Sequence, residues 1–142
     1  MNPKIEHINL HVGDITQTRL FLQTAFPQFH IRYQSNDSAD EQWLHFGDDD
    51  TYFALYQSET NTHPTRVPYS SSPGFNHLGL VVDDVESLRQ RLLEQGFHES
   101  TLGNTHPARK RIYFRDPDGN DWEFVEYLSE HNAERNDYSD AE

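Results

Sequence analysis

Ile5-Glu6-His7-Ile8-Asn9-Leu10-His11-Val12 and Phe75-Asn76-His77-Leu78-Gly79-Leu80-Val81-Val82 are one pattern written twice. His77 follows His7, Val82 follows Val12 and Asp84 follows Asp14, by 70 residues in all three cases. In each copy aliphatic residues alternate with polar ones, the period of a half-buried strand. Ile8, Leu10 and Val12 fall on one face, with His7, Asn9 and His11 on the other. In the second copy Leu78, Leu80 and Val82 lie opposite His77. Asp14 and Asp84 are good N-caps, because a short carboxylate accepts from the free amides of a helix's first turn. Helices are predicted over Ile15 to Ala25, stopped by Pro27, and over Val85 to Gln95, followed by Gly96 where a left-handed residue is wanted.

Three further strands follow each helix. In the first copy they are Phe29 to Tyr33, Trp43 to Phe46 and Tyr52 to Tyr56, with Ser35 to Glu41 a polar loop and Gly47-Asp48-Asp49-Asp50 a hairpin turn. In the second they are Phe97 to Thr101, Arg111 to Phe114 and Trp122 to Tyr127. Residues 102–109 form a loop, and Asp116-Pro117-Asp118-Gly119-Asn120 joins the last pair. That run lacks the closing Glu of a calcium loop; Pro and Gly at these places are turn chemistry. The expected fold is α+β, two βαβββ modules forming a cupped mixed sheet with helices outside. The expected division is a first module at 1–57, a linker at 58–73, a second module at 74–128 and an acidic, disordered tail at 129–142.

The 142 residues carry 24 acidic and 11 Lys or Arg side chains, a formal charge of −13. Such a chain repels phosphate backbones and anionic lipid, so neither nucleic acid nor membrane is expected as a partner. No apolar run approaches the roughly 20 residues that span a bilayer, and the start of the chain lacks the apolar core of a signal peptide. A cytoplasmic location follows as the default. Cysteine is absent, which removes disulfides and thiolate chemistry and leaves His, carboxylates and water as metal ligands.

His7 and His77 occupy equivalent positions, each opposite the face its own helix should cover. Two imidazoles converging in an enclosed space suit a divalent cation; a lone strand histidine is more ordinarily a hydrogen-bonded structural residue. Glu123, between Trp122 and Phe124, is a costly place for a carboxylate unless it is paired or coordinated, or unless the strand face is solvated. Two His and one carboxylate give the open arrangement typical of non-haem Fe(II) sites. Fe or Mn is therefore the first expectation and Zn or Ni the second. Asn9, Tyr52, Tyr56 and Arg111 are candidate pocket residues, with Trp43 suited to the same role. His11, Arg111 and Tyr113 are candidate catalytic residues, Arg111 as a binder of a substrate carboxylate or phosphate.

Ile5-Glu6-His7, Phe75-Asn76-His77 and above all Tyr113-Phe114-Arg115-Asp116-Pro117-Asp118-Gly119-Asn120-Asp121-Trp122-Glu123-Phe124 resemble the vicinal oxygen chelate superfamily. That group includes glyoxalase I, bleomycin- and fosfomycin-resistance proteins and extradiol dioxygenases. The resemblance covers about residues 4–128. It implies paired βαβββ modules, frequent homodimers, and one divalent metal held by His7, His77 and Glu123. Glyoxalase I-like members supply a fourth ligand from the last strand of the first module, and the matching slot here is Ala54. A three-ligand site, as in the dioxygenase branch, fits better. The implied function is a lyase, isomerase or dioxygenase binding a small substrate through vicinal oxygens. The alternative is a non-catalytic small-molecule binder of the bleomycin-resistance kind.

Overall fold

A computed structural model describes residues 3–35, 42–57, 68–70, 73–103 and 105–139. The polar loop over 35–41 and the linker over 58–73 therefore fall largely outside the described residues. The chain divides into two compact units, Met1–Arg66 with Pro117–Gly119, and Val67–Asp116 with Asn120–Glu142.

The first unit runs β1 (His7–Val12), α1 (Ile15–Ala25), β2 (His30–Gln34), β3 (Trp43–Gly47) and β4 (Tyr52–Gln57). Its sheet has the order β1-β4-β3-β2, with β1 parallel to β4 and the other pairs antiparallel. The second unit repeats the plan with β5 (His77–Val81), α2 (Val85–Glu94), β6 (Glu99–Leu102), β7 (Arg109–Arg115) and β8 (Asp121–Tyr127), ordered β5-β8-β7-β6. These are two βαβββ modules in an α+β fold. A helical turn, α3 (Asn132–Arg135), follows β8.

Both helices begin as the sequence dictates. The Asp14 carboxylate accepts from the amides of Thr16 (2.8 Å) and Gln17 (3.1 Å), and Asp84 from that of Ser87 (3.0 Å). Each helix presses its apolar stripe onto one face of its own sheet. Phe21 and Leu22 of α1 are fully buried with Leu55 and Phe46; Leu88 and Leu92 of α2 are buried with Phe114 and Phe124. Removing a side chain of this size from water is worth about 1.5–3 kcal/mol, so this face fixes the register. A one-residue slip would turn the aliphatic row outward.

Strand edges depart from the sequence expectation where helix endings claim residues. The Phe97 amide donates to Leu92 O (3.0 Å) and that of Gly96 to Leu93 O (3.0 Å), with Gly96 at φ +85°. Phe97 thus closes α2, and β6 starts at Glu99. Phe29 likewise donates to Phe26 O (3.0 Å), so β2 starts at His30. Strand β7 is longer than expected because its pairing with β8 continues from Arg109 opposite Tyr127 to Arg115 opposite Asp121. In the turn between them Asp116 accepts from the Asn120 amide (2.9 Å) and from Trp122 Nε1 (3.0 Å), while Gly119 sits at φ +81°. The run works as a turn.

Candidate functional site

Pairing register sets the polar face of each sheet. In the first unit His7 lies opposite Tyr52, Asn9 opposite Ala54 and His11 opposite Tyr56. In the second, His77 lies opposite Asp121 and Gly79 opposite Glu123. Ala54 and Glu123 are therefore equivalent positions, and only the second module carries a carboxylate there.

The polar face of the first sheet is tiled with rings. Tyr33 stacks on Trp43 (4.5 Å), Trp43 on Tyr56 (5.9 Å, 7° between planes) and Tyr56 on His11 (5.7 Å), a row crossing all four strands. A second row joins His45 to Tyr52 (4.6 Å) and Tyr52 to His7 (4.9 Å), with the Arg32 guanidinium 4.5 Å from the Tyr52 ring centre. The His7 side chain is 42% exposed, and its Nδ1 is 2.7 Å from Glu6 Oε2. Burial first, then the neighbouring His7 and Arg32, hold the His45 pKa below its ordinary value, so His45 favours the neutral form. His7, Asn9, His11, Trp43, Tyr52 and Tyr56 thus share one face of this unit. His45 reads as structural from the sequence, and neither Arg32 nor Tyr33 stands out there: all five residues of β2 are exposed, so no buried alternation marks them.

The polar face of the second sheet is built around Glu123, whose side chain is only 14% exposed. Its Oε2 is 3.1 Å from His77 Nε2. Its Oε1 accepts from the Tyr113 hydroxyl at 2.7 Å, with Arg111 Nη1 3.9 Å away. Burial first, then the bond to Glu123, pushes the Tyr113 hydroxyl well above its usual pKa. At neutral pH Tyr113 is a hydrogen-bond donor and not a base. Arg111 keeps its Nε buried without a hydrogen-bond partner among the described residues. Gly79 lies alongside, where an added Cβ would be 3.5 Å from Glu123 Oε2, so nothing bulky covers the carboxylate from that strand. His77, Glu123, Arg111 and Tyr113 are therefore brought together.

Behind His77 stand residues not selected from the sequence. The Tyr69 hydroxyl lies 3.2 Å from His77 Nδ1 and 2.9 Å from Asp121 Oδ2, and Asp121 also accepts from Ser100 Oγ. Burial and then Asp121 push the Tyr69 pKa up to about 12. Tyr69 lies in the aperiodic stretch read as linker, where no pattern marked it.

Among the described residues of either unit, no three His, Asp or Glu side chains are grouped to hold a metal ion. The donor chemistry of the second unit nevertheless fits one. An imidazole nitrogen and a carboxylate oxygen face each other at 3.1 Å, both are hard-to-borderline donors, and each is held from behind by a hydrogen bond.

A sequence profile of the Glyoxalase/Bleomycin resistance protein/Dioxygenase superfamily matches residues 4–124. The chain belongs to this superfamily. No curated protein matches it. A glyoxalase family protein from Bacillus cereus superposes with a TM-score of 0.73 at 11% identity, covering 91% of this chain and 97% of that one. Fosfomycin resistance protein FosX from Mesorhizobium loti gives 0.65 at 20% identity, covering 95% and 98%. FosX from Listeria monocytogenes, in complex with Mn(II) and sulfate, gives 0.66 at 21% identity, covering 95% and 98%. At these identities the likeness is one of fold. No described helix is long and apolar enough to cross a membrane.

Proposed function

We propose that the protein is a metal-dependent enzyme, a lyase, isomerase or dioxygenase, acting on a small substrate that offers two adjacent oxygens. The observation that carries this is the His77–Glu123 couple, 3.1 Å apart on the polar face of the second sheet, with His7 at the equivalent strand position of the first. His7, His77 and Glu123 would hold a divalent ion. Mn is favoured with Fe, because a FosX relative of the same fold is complexed with Mn(II); Zn and Ni remain second. When bound, such an ion supplies Lewis acidity toward the substrate oxygens.

The chain's own residues do the rest. Tyr113 donates to Glu123 and stays protonated, which orients the carboxylate. Arg111 brings a cation beside it, suited to a substrate carboxylate or phosphate. Asn9, Tyr52 and Tyr56, on the polar face of the first sheet, are the candidate substrate-pocket residues of this reading, and His11, stacked on Tyr56, is a candidate proton carrier. A homodimer in the cytoplasm, with residues 58–73 as linker and 129–142 as an acidic tail, belongs to the same proposal. The ring-tiled face of the first sheet also favours a second reading, non-catalytic capture of an aromatic ligand.

Elemental analysis of protein purified without a histidine tag tests the first reading. Bound Mn, Fe, Zn or Ni should be retained by the wild type and lost from His77→Ala and Glu123→Gln. Equal metal content in all three would overturn it. Retained metal with no turnover of any vicinal-oxygen substrate would leave the binding reading.

A further inference from the structure

We propose that residues 129–139 form a strap that competes with an anionic ligand for the guanidinium of Arg109. Ile112 and Phe114 of β7 are buried on the face that α2 covers, so Arg109, Arg111 and Tyr113 lie on the opposite, polar face. The register sets Tyr113 opposite Glu123, Arg111 opposite Val125 and Arg109 opposite Tyr127. Arg109 is thus the next cation along from Arg111, at the end of the face where β8 runs into the C-terminal segment.

That segment folds back on this end through four contacts. Arg109 Nη1 donates to Arg135 O at 3.1 Å, a carbonyl at the end of α3, where the helix itself supplies no partner. The Tyr138 ring centre lies 5.0 Å from Cζ of the same guanidinium. The Arg135 guanidinium lies 4.8 Å from the Tyr127 ring centre, and His106 Nε2 donates to Asp137 O at 2.9 Å. Docking leaves the bonding of Arg109 incomplete: its Nε is buried without a hydrogen-bond partner among the described residues, as is that of Arg111. A buried N–H without a partner is costly. An anion with two oxygens would satisfy Nε and an Nη together, and a charged acceptor outbids a backbone carbonyl.

The grip is weak enough to be exchanged. Helix α3 is four residues long and buries no side chain, so it has little to hold it beyond these contacts. Tyr138 is 62% exposed. Glu130, Glu134 and Asp137 outnumber Arg135 in the segment, so the docked strap also brings negative charge to this end of the sheet and opposes an incoming anion. Released, it leaves Arg109 beside Arg111 as a second guanidinium on one face, suited to a small ligand bearing a phosphate or carboxylate.

The anion role of Arg111 rests on the proposed function; the strap's hold on Arg109 does not. The test therefore uses metal-free full-length protein, inorganic phosphate as the probe and sodium chloride at equal ionic strength as the control. Coupling runs both ways. Phosphate should speed amide hydrogen exchange across 129–139 in the wild type, and chloride should not. Tyr138→Ala should loosen the strap and bind phosphate about tenfold more tightly, the gain expected if the wild-type strap is open about a tenth of the time. Arg135→Gln, which removes the contact with Tyr127, should act in the same direction. Adding Arg109→Ala to Tyr138→Ala should abolish the gain. Exchange that phosphate leaves unchanged overturns the proposal. So does a loosened strap that binds phosphate no better, a failure of both variants to speed exchange, or a gain that survives Arg109→Ala. Phosphate-driven release in a protein that retains no metal at His77 and Glu123 would keep the strap and remove the enzyme reading.

Discussion

At the scale of the residue, the two modules differ most at one pair of positions, Ala54 and Glu123. Their strands share a plan, yet Ala54 sits between Asn9 and His45 across its neighbouring strands and is 3% exposed. A carboxylate placed there would lose hydration in the metal-free protein, at a cost of about 1–3 kcal/mol. Ala54→Glu should therefore lower the melting temperature of the metal-free form. If residue 54 faces the metal, the new carboxylate becomes a fourth ligand, and binding to the folded state returns the lost stability. The Mn(II)-induced rise in melting temperature should then be larger in Ala54→Glu than in the wild type. Affinity for a bidentate hydroxamate should fall, because one exchangeable position is taken. Equal Mn(II)-induced rises and equal hydroxamate affinities would show that residue 54 does not face the metal.

At the scale of the element, each helix is set by its cap and stripe. Asp14 receives two amides, and Asp14→Ala leaves both without a side-chain partner, a loss of about 1 kcal/mol. Thermal unfolding should fall by roughly 2–4 °C for a chain of this size, with Asp14→Asn retaining most of the stability. A drop of the same size in Asp14→Asn would point to charge in place of the cap bond. The same reasoning explains what the sequence makes legible. Caps, aliphatic alternation and the offset of 70 depend on local chemistry, so both helices, the strand order of events and the equivalence of His7 with His77 are readable. The starts of β2 and β6 are not, because Phe29 and Phe97 are drawn into helix endings and the pairing slips between Ile31 and Tyr33 and between Glu99 and Thr101. Such irregularities depend on partners distant in sequence. Tyr69 was invisible for a related reason: its importance lies in where its hydroxyl ends, and no periodicity encodes that.

At the scale of the whole molecule, the excess of 13 negative charges opposes compactness at neutral pH. Favourable pairs such as Arg89–Glu99 (2.6 Å) and Lys110–Glu126 (3.5 Å) are partly exposed and worth about 0–1 kcal/mol each. Salt weakens both effects, but the repulsion involves every acidic side chain, so screening should win. Raising the salt from about 0.01 M to 0.15 M shortens the screening length from about 30 to 8 Å and should raise the melting temperature at pH 7. Acid acts in two stages. Protonation below pH 7 first relieves repulsion, and stability should rise at low salt, opposed by His45, whose depressed pKa makes its charging unfavourable once the pH falls below 6.5. Asp48, Asp84 and Asp137 have pKa values held below 3.8 by the Thr51 amide, the Ser87 hydroxyl and the Ser139 amide respectively. A depressed carboxylate contributes stability that is complete above its unfolded pKa and lost as pH falls through its folded one. Stability should therefore decline below pH 3.8, and added salt should leave that decline in place while flattening the rise above it. Melting temperatures across pH 3–7 at the two salt concentrations measure this directly. A melting temperature at pH 7 that stays level or drops with salt would mean that local ion pairs, and not the net charge, govern the electrostatics of the fold.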